Sequence, residues 1–319
     1  MGTTGRVPTV PVLHRTIPAL LVTLGLAATL TACSASGAGT TPSSCARPGA
    51  ASEAVTATGT FGKEPKVSVP SGLTTKGTQV SVLKQGTGRE VEDGTPVLIE
   101  YTVVDGATGQ VAQTSGYSGQ TAPITAGASN FGALGEAVEC AHVGDRLAVA
   151  LPKSALSSTS GAAGSSSSSG TEDAVIAVID VKRAFDARAT GTPQLAGDRM
   201  PAVVLAPSGA PGITIPSWDA PKSDETHLLR KGDGTKLTAK DTAVIKYTAV
   251  TWSTDPSVTG SNWTDGSGAA TVPLAKGQIV DGVREAIVGH RVGDQVLAIV
   301  HGQGGTDAYV IDVLGVMPR

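Results

Sequence analysis

Two stretches of this chain spell nearly the same string, so a fold has to be found for a unit of less than half its 319 residues and then found twice. Val67, Val69, Pro70 and Ser71 return as Ile213, Ile215, Pro216 and Ser217, and Gly86 and Gly88 return as Gly232 and Gly234. Ile99, Tyr101 and Thr102 return as Ile245, Tyr247 and Thr248 at the same offset. Further on, Val143-Gly144-Asp145 matches Val292-Gly293-Asp294, and Val178-Ile179-Asp180-Val181 matches Val310-Ile311-Asp312-Val313, at drifting offsets that locate loops of different length. Each copy is long enough to bury its own core, unlike the repeats of about 20–50 residues that stack into solenoids.

Within each copy the β-branched and aromatic runs over 97–103, 147–151 and 174–181, and over 243–249, 295–300 and 309–314, have strand character. With 41 Gly, 19 Pro and only 3% aromatic residues, the composition suits a turn-rich β architecture with aliphatic cores. Helical spacing is confined to one short segment per copy. Leu134 and Val138 share a face over 132–140, and Val283 and Ile287 share one over 282–289, where Gly289 is the stop. The first domain is expected over 59–187 and the second over 202–319. Between them the linker 188–201 replaces periodic residues by Ala, Thr, Gly and Pro. Residues 157–170, almost wholly Ser, Gly, Thr and Ala, interrupt the first copy only and read as a flexible surface loop.

The start of the chain sets location. Arg6, His14 and Arg15 precede an apolar run over 17–30 that is short for a bilayer span and ends in Leu30-Thr31-Ala32-Cys33. This resembles the cleavage box of bacterial lipoproteins. The resemblance implies that 1–32 is a signal peptide and that Cys33 carries the lipid anchor, on the extracytoplasmic face of the cell membrane. An ordinary secretory peptide and an uncleaved anchor are the alternatives. Residues 33–58 are expected to be a flexible tether, because 34–44 lack apolar side chains to pack. With Cys33 lipidated, Cys45 and Cys140 remain in an oxidising compartment, where a disulfide is expected and two separate thiols are the alternative.

Several function classes lose support. A formal charge of -3 without a Lys/Arg cluster gives no footprint for nucleic acid. Cys140 and His142 lack a second pair of ligands, so no metal is expected. The Gly-x-Gly pairs are not followed by a helix opening on Lys-Ser/Thr, so they read as turn glycines rather than a phosphate cradle. His290 and His301 read as isolated and solvated, and Asp145, Asp180, Asp294 and Asp312 as fold-stabilising.

A Gly-x-Gly turn, an Ile-x-Tyr-Thr strand, a short helix, Val-Gly-Asp and a closing Val-Ile-Asp-Val strand resemble the FK506-binding-protein (FKBP) family of peptidyl-prolyl cis-trans isomerases. The resemblance implies an α+β fold of two tandem FKBP-like domains, each a curled antiparallel sheet wrapped around one short helix with an apolar pocket between them. It implies catalytic roles for Tyr247 and for the backbone amide of Val280, beside pocket walls from Val283 and Ile311. In the first copy the matching residues are Tyr101, Phe131, Leu134 and Ile179. For the two tyrosines, a ring simply packed in a half-buried strand is the alternative.

The match is uneven. The family's floor Trp becomes Leu134 and Val283, its closing-strand Phe becomes Ile179 and Ile311, and its Asp becomes Gln113 in the first copy. In the second copy, 258–263 carries no Asp at the expected place; neither 152–170 nor 301–306 supplies the family's further pocket Tyr, for which Tyr117 or Trp263 are the rings able to swing in from another loop. Weak isomerisation of proline-containing exported polypeptides, concentrated in the second domain and needing no cofactor, is therefore expected, with weak macrolide binding. A non-catalytic FKBP-fold binding module is the alternative. A solute-binding lipoprotein would need two large α/β lobes, which the β-rich copies do not offer.

Overall fold

The computed structural model describes residues 45–119, 121–156, 170–195 and 197–318, all within one compact unit. The expected signal peptide, Cys33, the tether up to residue 44 and nearly all of the Ser-rich loop lie outside the described residues.

The chain opens with a one-turn helix, α1 (Ala50–Glu53), and a hairpin of β1 (Thr56–Thr58) with β2 (Lys66–Ser68). The first large sheet follows: β3 (Thr74–Thr75), β4 (Gln79–Lys84), β5 (Pro96–Asp105), β6 (Val111–Thr114), β7 (Ala122–Thr125), β8 (Arg146–Pro152) and β9 (Glu172–Ala184). Its order is β4-β8-β9-β5-β6, with β3 on β9 and β7 on β5. Two helices interrupt it, α2 (Ala128–Val138) and α3 (Lys153–Leu156).

The second half begins with β10 (Thr192–Pro193) and a hairpin of β11 (Ala202–Leu205) with β12 (Pro211–Thr214). Then come β13 (Glu225–Lys231), β14 (Thr242–Thr251), β15 (Val258–Ser261), β16 (Ala270–Pro273), the helix α4 (Asp281–Glu285), β17 (Gln295–Gly302) and β18 (Gly305–Val316). The order β13-β17-β18-β14-β15 repeats that of the first sheet, with β16 on β14 as β7 is on β5, and β10 added at the edge. All pairings between these strands are antiparallel.

Each sheet is covered on both faces, which is why β5, β8, β14 and β17 read as nearly continuous apolar runs instead of alternating ones. One face of the first sheet packs Val97, Ile99, Leu147, Val149 and Ile179 against Val138 of α2. Its other face packs Ala148, Ala150, Ile176 and Val178 under Ala51 and Val55. In the second sheet Ile245, Val296, Ile311 and Val313 meet Ala286 and Ile287 beyond α4, and Leu297, Ile299 and Val310 lie under Val203, Ile213 and Trp252. A further cluster of Leu98, Phe185, Val244 and Leu314 draws on both copies.

The recurring motifs lock each sheet in the same way. A Cβ at Gly86 would stand 2.5 Å from the Val143 carbonyl oxygen, and one at Gly232 2.4 Å from that of Val292, so only glycine permits this approach. Asp145 then accepts the Gly86 and His142 N–H groups at 2.5 and 2.7 Å, and Asp294 accepts those of Gly232 and Arg291 at 2.6 and 2.9 Å.

Three expectations are corrected. Residues 45–58 are not tether: α1 docks on β4, where the Gln79 side-chain oxygen accepts the Ala51 N–H at 3.0 Å, and Ala51 and Val55 are buried. The average composition of 33–58 hid these few apolar residues. The segment 188–201 is not free, since Ala189 is buried with its N–H on Asp312 at 2.7 Å and β10 pairs with β13. Finally, α2 breaks at Phe131 (φ −142°) and Gly132 (φ 56°), so the helical turn ahead of it was not foreseen. Cys45 and Cys140 are bonded, with 5.8 Å between their Cα atoms.

Candidate functional site

In the second copy, β14 presents Tyr247 on the same face as Ile245 and directly opposite Ile311 of β18. Its backbone is pinned by Asn262, whose side-chain oxygen accepts the Tyr247 N–H at 2.7 Å and whose amide donates to the Ile245 carbonyl at 3.2 Å. Tyr247 packs with Ile279 and Val283 against the buried Ile311. The ring of Tyr309 stands 6.4 Å away at 35°, and burial pushes its hydroxyl pKa up. Val280 differs from its neighbours. It caps α4 with extended backbone (φ −54°, ψ 129°), its side chain is 57% exposed, and its N–H donates to no described residue.

The first copy builds the same wall with different chemistry. Tyr101 lies opposite Ile179 and joins Phe131 and Leu134 against one core. Its hydroxyl accepts a hydrogen bond from Gln113 at 2.9 Å, the position matched to the family's Asp. The Phe131 N–H, in the place of Val280, is already used by the Gly127 carbonyl at 3.2 Å.

The chain is similar to solved FKBP structures. The three FKBP domains of wheat FKBP73 match with a TM-score of 0.29 and 15% identity, over 75% of this chain and 94% of that one. FkpA from Escherichia coli matches with a TM-score of 0.26 and 16% identity over 36% and 52% of the two chains. A multi-domain immunophilin from Arabidopsis thaliana matches with a TM-score of 0.28 and 13% identity over 38% and 45%. No family model and no curated protein matches.

The structure thus groups Tyr101, Phe131, Leu134 and Ile179 in one cluster and Tyr247, Val283 and Ile311 in another, and leaves Val280 at a rim. Tyr309 was missed, although strand alternation two residues before Ile311 puts it on that face. Neither Tyr117 nor Trp263 joins these walls. The Tyr117 hydroxyl receives a bond from Thr102 on the opposite face at 3.3 Å, and the Trp263 ring lies under the Lys246 amine, 4.4 Å from it. The two histidines are not isolated. His290 Nδ1 meets Asp294 at 2.9 Å, and His301 Nδ1 meets Asp224 at 2.9 Å, partners that folding alone brings near. Two cavities, of about 550 and 270 Å³, lie elsewhere, the first beside Glu100 and the second beside Asp312.

Proposed function

We propose that the chain is a membrane-tethered, extracytoplasmic prolyl isomerase of the FKBP type, formed by two tandem FKBP-like domains, anchored through Cys33 and acting on proline-containing exported polypeptides through its second copy. The reading is supported by a contrast between the two walls: the N–H of Val280, the residue after the wall residue Ile279, has no acceptor among the described residues, whereas the Phe131 N–H is occupied.

The reaction needs little else. The barrier of about 18–20 kcal/mol to rotation of an X-Pro bond arises from amide resonance, which polar solvent favours in the planar state. A proline ring seated on Tyr247, Tyr309 and Val283, above the buried Ile311, leaves water, which weakens that preference. A fixed N–H at the rim then orients the substrate by donating to a carbonyl outside the rotating bond, that of the proline itself. The missing floor ring reduces the apolar area available for the proline and keeps the activity low.

The test removes the donor at an exposed rim position. Val280→Pro deletes the N–H at a residue whose φ is already near that of proline. In a cis/trans assay on an X-Pro peptide with residues 34–319, this variant should lose about tenfold in kcat/KM, an effect of the size of one hydrogen bond. Tyr101→Phe should retain full activity. Equal activity in Val280→Pro and the parent chain overturns the assignment, and an inactive parent chain favours the second reading, a non-catalytic binding module.

A further inference from the structure

The residue between Ile and Tyr in the repeated strand faces away from the helix, and there the copies differ: Glu100 in the first, Lys246 in the second. Both are buried, with 2% and 3% of their surface exposed. The register sets each in a row of three. Glu100 lies opposite Asp180, and Asp180 opposite Arg146. Lys246 lies opposite Asp312, and Asp312 opposite Gln295.

The second row balances. Lys246 offsets Asp312 and donates to the Gly94 carbonyl at 2.9 Å, while Gln295 donates to Asp312 at 2.8 Å. The first row does not. Arg146 is spent on Asp180 through two bonds of 2.6 and 2.8 Å, which leaves Glu100 as a surplus carboxylate. Glu100 forms no ion pair among the described residues, and its Oε2 is buried without a hydrogen-bond partner. A buried carboxylate left so is costly unless something supplies a donor.

Glu100 is also not sealed off. It lines the cavity of about 550 Å³, a volume suited to a small ligand. Lys63, Lys182 and Arg183 line the same cavity, and none of the three has an ion pair among the described residues. Lys182 rests 4.8 Å from the Phe61 ring centre and Arg183 4.8 Å from that of Phe185, so aromatic faces hold these cations instead of Glu100. Arg183 pairs with Leu98, two residues along β5 from Glu100, so the backbone positions that carry the two charges lie about 7 Å apart along the strand.

We infer that this cavity binds a short zwitterionic peptide, its ammonium on Glu100 and its carboxylate on Lys182 and Arg183. A metal cation is disfavoured by three surrounding positive charges, and the described residues hold no group of three metal-binding side chains there. An inorganic anion would leave Glu100 unanswered. A single amino acid holds its two charges too close together, whereas the termini of an extended dipeptide lie roughly 7 Å apart. The site faces away from the Tyr101 wall and is independent of the isomerase reading.

Calorimetric titration of residues 34–319 with L-alanyl-L-alanine at millimolar concentration should give saturable binding. N-acetylation or C-amidation of the dipeptide should each weaken it at least about tenfold, the loss of one charge-assisted contact. Glu100→Gln, nearly the same shape, should abolish the penalty for acetylation, and Lys182→Met, which leaves Arg183 in place, should reduce that for amidation. If either variant fails to fold by circular dichroism, the capping series on the parent chain and the other variant decides. No saturable binding, or binding indifferent to both caps or unchanged in both folded variants, overturns the proposal.

Discussion

Replacing Arg146 by Met tests whether a single guanidinium holds the outer face of the first sheet together. Arg146 is 2% exposed, yet it pairs with the fully buried Asp180 and donates to the carbonyls of Gly59, Thr60 and Lys63 at 3.1, 3.2 and 3.3 Å. Met keeps the apolar stem and removes every donor. Among the described residues Asp180 then retains only the Gly62 N–H at 2.6 Å, beside a second buried carboxylate on Glu100. Breaking a buried pair from one side costs about 3–5 kcal/mol, and the loop carbonyls add about 1–2 kcal/mol after partial rehydration. The sum, about 5 kcal/mol, rivals the whole stability of a small domain. With a urea dependence of about 2 kcal/mol per molar, the first copy should unfold about 2.5 M earlier. The assay separates the copies, because all three tryptophans, Trp218, Trp252 and Trp263, lie in the second. Far-ultraviolet circular dichroism should gain an early transition while tryptophan fluorescence moves much less. Adding Asp180→Asn should recover part of the loss, since no unpaired charge then remains in that pair. A single variant whose dichroism curve overlays that of the parent refutes the reasoning.

Reducing the Cys45–Cys140 bond, which closes 95 residues, should lower the stability of the first copy by about 2–4 kcal/mol and release α1 from β4. Urea melts of Cys45→Ser against the parent measure this, and coincident melts contradict it. In an alkaline absorbance titration, two of the four tyrosines should ionise late. Burial pushes the Tyr117 hydroxyl up to about 12, and Tyr309 is raised for the same reason. Because the folded-state pKa is raised above 10, their contribution to stability is present below pH 10 and is lost as pH rises through the folded-state value, about 12 for Tyr117. Four coincident ionisations near pH 10 in folded protein contradict the burial of both rings.

What the sequence made legible and what it concealed have one physical origin, the range over which each signal acts. Strand runs, the Gly-x-Gly turn and its Val-Gly-Asp partner are local patterns written twice, and the six expected strands, the short helices beneath each sheet and the shared tyrosine wall follow from them. Tyr309 was legible by the same alternation, two residues before Ile311. The docking of 45–58 was hidden for another reason: composition averaged over a tether dilutes Ala51 and Val55, two side chains that suffice once a disulfide limits where they can go. The row behind each wall was out of reach altogether. Glu100 and Lys246 stand in the string as the variable letter of Ile-x-Tyr, and their meaning depends on which strands lie beside them and in what register. That register is shifted by a bulge between Leu98 and Ile99, and again between Val244 and Ile245. Only with it fixed does one row become neutral and the other carry an unanswered negative charge. Copies that agree in the order of their strands, yet disagree in the sign of one buried residue behind the wall, share a scaffold and differ in what that scaffold is asked to hold.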